Sequence, residues 1–250
     1  MSETDPEVCI VGGGVAGMTA AIFTARAGLE TLVVTHGESI LCRNAHLENV
    51  PGFPLGVNAR TFLSLVREQA EHNGVTFRDG RAERLSSIES GFSLRIESGG
   101  GEADVTADYV VVASWSDTDY LEDLSGVGLV ARGSKTFVDV DDFGRAGVAG
   151  LYAAGRIAEK PHQTIVSAGH GAEVALTLIE DSEVPYYHDW VAPEGYFTGR
   201  DIDVPPGCEE IDETERKQRE EASLERMREA FAEPREDDPT MHPSVATDDE

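Results

Sequence analysis

Residues 7–35 read EVCIVGGGVAGMTAAIFTARAGLETLVVT, and the order of residue types in this stretch decides the fold. Glu7 to Val11 is a short apolar run, Gly12-Gly13-Gly14-Val15-Ala16-Gly17 follows, and Met18 to Ala27 is rich in helix formers and ends at Gly28. The reading is strand, glycine turn, helix. Thr31 to Val34 is a second buried strand, which completes a β-α-β unit. Within the turn, Gly12, Gly14 and Gly17 carry the G-x-G-x-x-G spacing. The first glycine permits a tight turn, the second lets the backbone approach a pyrophosphate, and the third lets the helix lie close to the strand. Amides at the helix N-terminus then face the anion, so the unit implies a dinucleotide.

Outward from this unit, residues 36–58 show no period and contain Pro51-Gly52 and Pro54, a long irregular segment of the kind that usually carries function. Ala59 to Asn73 predicts a helix with Phe62, Leu65, Val66, Gln69 and Ala70 on one stripe. Val75 to Phe77 predicts a third strand. Arg81 to Glu89, Phe92 to Glu97 and Ala103 to Ala107 alternate between glycine breaks, which predicts antiparallel hairpins. Tyr109 to Ala113 and Gly150 to Gly155 are continuous runs suited to central parallel strands, and Thr164 to Ile179 predicts the apolar helix that closes the domain. The aromatic segment Val184 to Cys208 is expected to pack on the domain or on a second subunit through Tyr186, Tyr187, Trp190, Tyr196 and Phe197. Ile211 to Phe231 predicts a charged helix with Leu224, Met227 and Phe231 on one face, and Pro234 onward has the composition of a disordered acidic tail.

Composition excludes several classes. The 250 residues hold 47 Asp and Glu against 20 Lys and Arg, a formal net charge of -27 that opposes nucleic-acid backbones and anionic lipid. Such self-repulsion is relieved where concentrated salt shortens the screening length, and together with only three lysines it implies a halophilic protein. No run reaches the roughly 18 to 20 apolar residues of a spanning helix, and the acidic start MSETDPE is unlike a signal peptide, so a cytoplasmic protein is expected. Cys9, Cys42 and Cys208 are too far apart in sequence for a C-x-x-C pair, and the histidines show no metal-ligand spacing. Gly128 to Thr136 hints at a phosphate loop, but Ser134 between Gly133 and Lys135 breaks the required spacing.

Three blocks, VGGGVAGMTAAIFTARAG at the start, LENVPGFP at 47–54 and GLYAAGRIAEKPHQTIVSAGHGA at 150–172, together resemble the thioredoxin reductase-like flavoproteins. The resemblance covers about residues 7–181 and implies FAD as the cofactor. It places Gly12, Gly14 and Gly17 at the pyrophosphate, Thr35 and His36 at the ribose, and Asn49, Ala113, Ser114, Gly155, Arg156, Gln163 and Thr164 near the ribityl chain or ring. Four departures accompany it. Asp117 to Gly147 is too short to hold the family's inserted nicotinamide domain. The family's C-x-x-C pair is missing with that insert. The ribose-binding acid is replaced by Thr35, with Glu38 the nearest carboxylate. The family's Gly-Asp is Gly155-Arg156, and the glycine after its Ala-Thr is Trp115.

Three residues keep two readings each. Cys42, beside Arg43, is either a flavin-adjacent thiolate and the candidate catalytic residue, or a small buried hydrophobe. Arg156 either binds a phosphate or forms a structural ion pair. His170, in Ala168-Gly169-His170-Gly171, either adds positive charge at a helix N-terminus beside the flavin or packs exposed on a turn.

The expected fold class is therefore α/β, a Rossmann-like FAD/NAD(P)-binding domain with a parallel sheet and a small antiparallel crossover, followed by a C-terminal extension. Residues 1–181 form the binding domain, 182–233 the extension with its charged helix, and 234–250 the tail. The expected function is an FAD-dependent oxidoreductase that exchanges electrons with a separate partner protein or a small substrate, as a monomer or homo-oligomer. The alternative is a cofactor-free domain of the same fold acting as a binding or regulatory module.

Overall fold

The computed structural model describes residues 5–186 and 188–245. Tyr187, one of the aromatics expected to pack, lies outside them.

The apolar runs become the strands β1 (Val8–Val11), β2 (Thr31–Thr35), β3 (Thr76–Asp79), β7 (Tyr109–Val112) and β10 (Leu151–Ala153), which form one parallel sheet in the order β10-β7-β1-β2-β3. Ile10 pairs with Val33 on one side and Val111 on the other. Side chains alternate between two covered faces, which is why these strands read as unbroken hydrophobic sequence. On one face Val8, Ile10, Val33, Val111 and Tyr152 pack against α1 (Val15–Arg26) and α3 (Thr164–Asp181). On the other, Cys9, Val11, Val110 and Val112 pack against the antiparallel sheet of β4 (Arg81–Ser87), β5 (Phe92–Ser98) and β6 (Gly101–Ala107) through Leu85, Phe92, Leu94 and Ile96. The segment around Ser134 is a hairpin of β8 (Leu129–Arg132) and β9 (Lys135–Val138).

The helix α2 (Ala59–His72) starts at Asn58, whose side chain accepts from the backbone N–H groups of Arg60 and Thr61. Its packing differs from the single stripe expected. Leu63 is buried with Val15 and Met18 of α1, Phe62 faces the Leu47, Val50 and Val57 cluster, and Gln69 is exposed. Two neighbours on different sides, α1 and the 47–57 loop, rotate the buried set away from a one-sided pattern.

In the extension, β11 (Trp190–Pro193) pairs in parallel with β12 (Cys208–Ile211). Trp190 packs edge-on against Tyr196 and Phe197, with centroids 4.5 and 5.5 Å away. Arg26 of α1 holds Asp189 with two guanidinium N–H donors, joining this unit to the domain. The charged helix α4 (Glu213–Ala230) buries no residue. Asp212 caps it, and i,i+4 pairs such as Glu213–Lys217 and Arg216–Glu220 line it. It meets α2 through a bidentate Arg226–Glu68 pair, while Phe231 lies 6.2 Å from Phe53. Beyond it, Asp237 pairs with Arg60 at 3.0 Å and the Thr240 hydroxyl donates to Glu38 at 2.6 Å.

Glycine is required where α1 and α3 approach. A Cβ on Gly171 of α3 would sit 2.2 Å from the carbonyl oxygen of Ala16 on α1, and one on Gly17 would sit 2.0 Å from the carbonyl oxygen of Gly12. These are backbone atoms, so the whole helix would have to move. Gly171→Ala is expected to cost about 3 kcal/mol or more, at the upper end of overpacking. Thermal unfolding measures it, and Gly169→Ala, whose Cβ would meet nothing within 4 Å, serves as the control that stays near wild type.

Candidate functional site

The parallel strands all end at the same edge, and the chain leaves β1 toward β2 on one side while β7 and β10 lie on the other. That reversal is the switch point at which open α/β sheets bind ligands. A cleft of about 250 Å³ opens there. Its floor is Gly12, Gly13 and Gly14. One wall is the segment from Thr35 to Leu41, and the opposite wall carries Ala113, Ser114, Trp115, Arg156 and Thr164.

The glycines divide their work as the spacing implies. Gly12 has φ +119° and leaves no room for a Cβ, which would meet the carbonyl oxygen of Ala113 at 2.4 Å. A Cβ on Gly13 would meet the Thr35 hydroxyl oxygen at 2.7 Å. A Cβ on Gly14 would have only Ser39 Oγ nearby, at 3.8 Å, so the space over Gly14 belongs to the cleft. Gly17 lies behind the floor and serves the turn.

Both long helices that begin at this edge do so without a side-chain cap. Gly14 precedes α1 and Gln163 precedes α3, neither accepts an N-terminal amide with a side chain, and neither first turn holds an acid. The two helices that start elsewhere, α2 and α4, are capped by Asn58 and Asp212. Unshared amides and the positive ends of two helix dipoles therefore face the cleft, where they favour an anion.

The sequence-predicted residues fall into three groups. Gly12, Gly14, Thr35, His36, Ala113, Ser114, Arg156 and Thr164 line the cleft. Asn49 and Gln163 stand at its side, where Asn49 Nδ2 donates to Gln163 Oε1 at 2.8 Å and ties the LENVPGFP loop to the start of α3. Gly155 lies behind the wall with φ +78°, and its N–H donates to His170 Nδ1 at 2.9 Å. The Ser114 hydroxyl donates to the Asp117 carbonyl at 2.8 Å and meets the Tyr120 hydroxyl at 2.8 Å.

For Cys42 the packing agrees with the second of its two readings, a small partly buried hydrophobe, and His170 departs from both of its readings. Cys42 does not join the cleft wall formed by its neighbours Ile40 and Leu41, and its side chain packs on the Val15, Met18 and Leu63 cluster. Burial, with Glu38 adding to it, raises its pKa against the opposing pull of Arg60 and Arg235, so the group is a neutral thiol near pH 7. His170 is neither exposed nor charged. It sits within α3, which begins at Thr164, and is 5% exposed. Burial, reinforced by Lys160 and opposed by Glu173, pulls its pKa down to about 4, and the neutral ring accepts from Gly155.

Trp115 is the strained residue of the wall. It holds φ +64° without being glycine, a conformation that costs an ordinary residue roughly 1 to 2 kcal/mol. Its indole meets His162 edge-on at 5.7 Å and receives Lys135 over its face at 5.2 Å. Arg81, His162 and Ser167 also line the cleft. Sequence reading missed them because β4, the loop that carries His162 and the first turn of α3 that carries Ser167 reach this edge only through tertiary packing.

This arrangement defines the class, a Rossmann-like dinucleotide fold with an anion-favouring cleft at its switch point. Residues 6–127 match the model of the pyridine nucleotide-disulphide oxidoreductase family. Among curated proteins, the thioredoxin reductase of Aquifex aeolicus is 43% identical over 77 residues, which are 30% of this chain and 24% of that protein. The NADPH-dependent thioredoxin reductase 3 of Arabidopsis thaliana is 35% identical over 101 residues, 37% of this chain and 19% of that protein. The matched segments thus span about a quarter or less of these relatives. Among solved structures, the thioredoxin reductase of T. acidophilum superposes with TM-score 0.64 at 17% identity, covering 72% of this chain and 99% of that one, and that of Streptococcus pyogenes with TM-score 0.63 at 13% identity, covering 70% and 97%. Over the matched segments the chain is similar to thioredoxin reductases in sequence, and its fold is that of the thioredoxin reductase structures on which it superposes.

The His170 contact predicts an acid-side loss of stability. The folded pKa, about 4, lies below the ordinary 6.5, so protonation favours the unfolded chain. The contribution is full above pH 6.5 and drains as pH falls toward 4. Thermal unfolding at fixed salt should fall more steeply across that window for wild type than for His170→Asn, whose amide oxygen accepts without taking a proton.

Proposed function

We propose that the chain binds FAD in the cleft and acts as an FAD-dependent oxidoreductase, exchanging electrons with a separate redox partner protein or a small substrate. The observation that carries the reading is the convergence of the glycine turn and two uncapped helix N-termini on one cleft. The open space over Gly14 fits the close approach of a diphosphate, and the resemblance to thioredoxin reductases supports FAD as the dinucleotide. In this reading residues 1–181 are the flavin domain, and 182–233 with the tail brace it through the Arg26–Asp189 and Glu68–Arg226 pairs.

When bound, FAD supplies the hydride and electron chemistry. The chain supplies placement and charge. Amides at the starts of α1 and α3 hold the anionic part, Thr35 and Glu38 stand at the end of β2 for the ribose hydroxyls, and the Asn49–Gln163 pair fixes the loop over the start of α3. His170 fixes the Gly155 turn and stays neutral, so it donates no proton. Cys9 is in the core with its pKa pushed up to about 12, Cys42 packs away from the cleft, and Cys208 lies in β12 with its Sγ 3.4 Å from the His188 carbonyl. No cysteine lines the cleft, so a dithiol relay within this chain is not part of the reading.

The second reading, a cofactor-free module, draws on Thr35 in place of a ribose-binding acid and on the Trp115 indole in the wall. A titration separates the two. In molar KCl, FAD should raise the melting temperature and quench Trp115 fluorescence in a Trp190→Phe background, where Trp115 is the sole tryptophan. NADH or NADPH should do neither. Absence of any FAD effect at millimolar concentration favours the module, and a shift with NADPH alone assigns the turn to the other dinucleotide.

A further inference from the structure

Arg156 stands out against the charge economy of the molecule. With 47 acids to 20 bases most arginines meet a carboxylate within 4 Å, Arg60, Arg84, Arg95, Arg145 and Arg226 among them, and the described arginines that meet none, Arg43, Arg200 and Arg228, are exposed, whereas Arg156 is half-buried. Arg156 has no such partner among the described residues. Its guanidinium lies over the Phe137 ring at 4.8 Å, and the residue lines the cleft. Glu159, the nearest acid in sequence, is taken instead by Arg132 of β8 at 3.0 Å. The other arginine of the lining, Arg81, lies 3.7 Å from Glu83. Arg156 is thus the cleft-lining arginine whose charge no carboxylate neutralises.

The residue is also held in place. Its backbone follows Gly155, whose amide is fixed by the buried His170, and Phe137 beneath it is buried. A guanidinium held over a ring face keeps N–H donors free at its edge, where they suit a phosphate oxygen pair. On the same lining, Gly14 and Thr164 bring the uncapped starts of α1 and α3.

We propose that Arg156 is a specificity-determining residue that selects a diphosphate in this cleft, so that binding is concentrated on the phosphate groups of the ligand rather than on its neutral sugar alcohol or ring. The inference rests on the dinucleotide reading of the cleft. It implies that ADP and inorganic pyrophosphate bind, that FAD binds, and that riboflavin, which lacks phosphate, binds far more weakly.

Isothermal titration of wild type, Arg156→Ala and Arg156→Lys with FAD, ADP, pyrophosphate and riboflavin at one KCl concentration tests it. Arg156→Ala should weaken FAD and ADP by roughly tenfold to a hundredfold, the span for a hydrogen bond to a charged group, and leave riboflavin unchanged. Arg156→Lys, which keeps the charge and loses the planar fork, should fall between, and it decides the matter if the alanine variant does not fold. Unchanged ADP affinity in Arg156→Ala, or an equal loss for riboflavin, overturns the proposal while leaving FAD binding intact. Wild type that binds ADP but not FAD, with ADP lost in Arg156→Ala, sustains the role of Arg156 and overturns the flavin reading. Failure of wild type to bind any of the four overturns both.

Discussion

The contact between α1 and α3 across the end of β1 is the constraint on which the site depends. A Cβ on Gly171 of α3 would sit 2.2 Å from the carbonyl oxygen of Ala16 on α1, and one on Gly17 would sit 2.0 Å from the carbonyl oxygen of Gly12 in the turn that starts α1. Because only glycine permits that approach, the two helices lie together on one sheet face and both begin beside the glycine turn. The sheet order places β2 on one side of β1 and β7 on the other, so a gap opens at their carboxyl ends, where open α/β sheets bind ligands. His170 contributes to the same contact from within α3 by accepting the amide of Gly155, which connects helix packing to the turn that carries Arg156.

Charge is organised around this frame rather than spread evenly. The chain carries a net -27, yet the first turns of α1 and α3 hold no acid, while α4, none of whose residues lines the cleft, opens with Glu213 and Glu215. Acids at α1 or α3 would cancel the helix dipoles that face the cleft, whereas at α4 they complement the dipole and add surface charge. The exposed pairs that fasten the extension, Arg226–Glu68 among them, contribute modestly one by one. Their location matters more, because they brace α2 and, through Asp237 and Thr240, the segment that includes Glu38 and Cys42.

Much of the fold was legible because local pattern and tertiary environment agree there. The run from Glu7 to Val34 encodes strand, turn, helix and strand, and the alternation from Arg81 to Ala107 encodes the antiparallel sheet. The cleft glycines were legible for the same reason, since their need is set by backbone geometry. Cys42 and His170 were not. Their protonation depends on which neighbours bury them, and the adjacent Arg43 says nothing of the Val15 and Leu63 packing that raises the thiol. A Gly-His-Gly sequence suggests a turn, yet Gly171 is there so that α3 can pass α1, and the helix continues through it. The stripe on α2 was misplaced because two neighbours share that helix.

In the proposed function the glycine turn and the starts of α1 and α3 hold one dinucleotide. Hydrogen exchange with and without FAD in high salt tests it most directly, because it reads the backbone amides themselves. Slowed exchange is expected, confined to Gly13–Met18, Thr35–Ser39 and the stretch from Arg156 to Ser167, with the β11–β12 unit unchanged. Slowed exchange at β11–β12 and not at the glycine turn, or no slowing anywhere at saturating FAD, would contradict it.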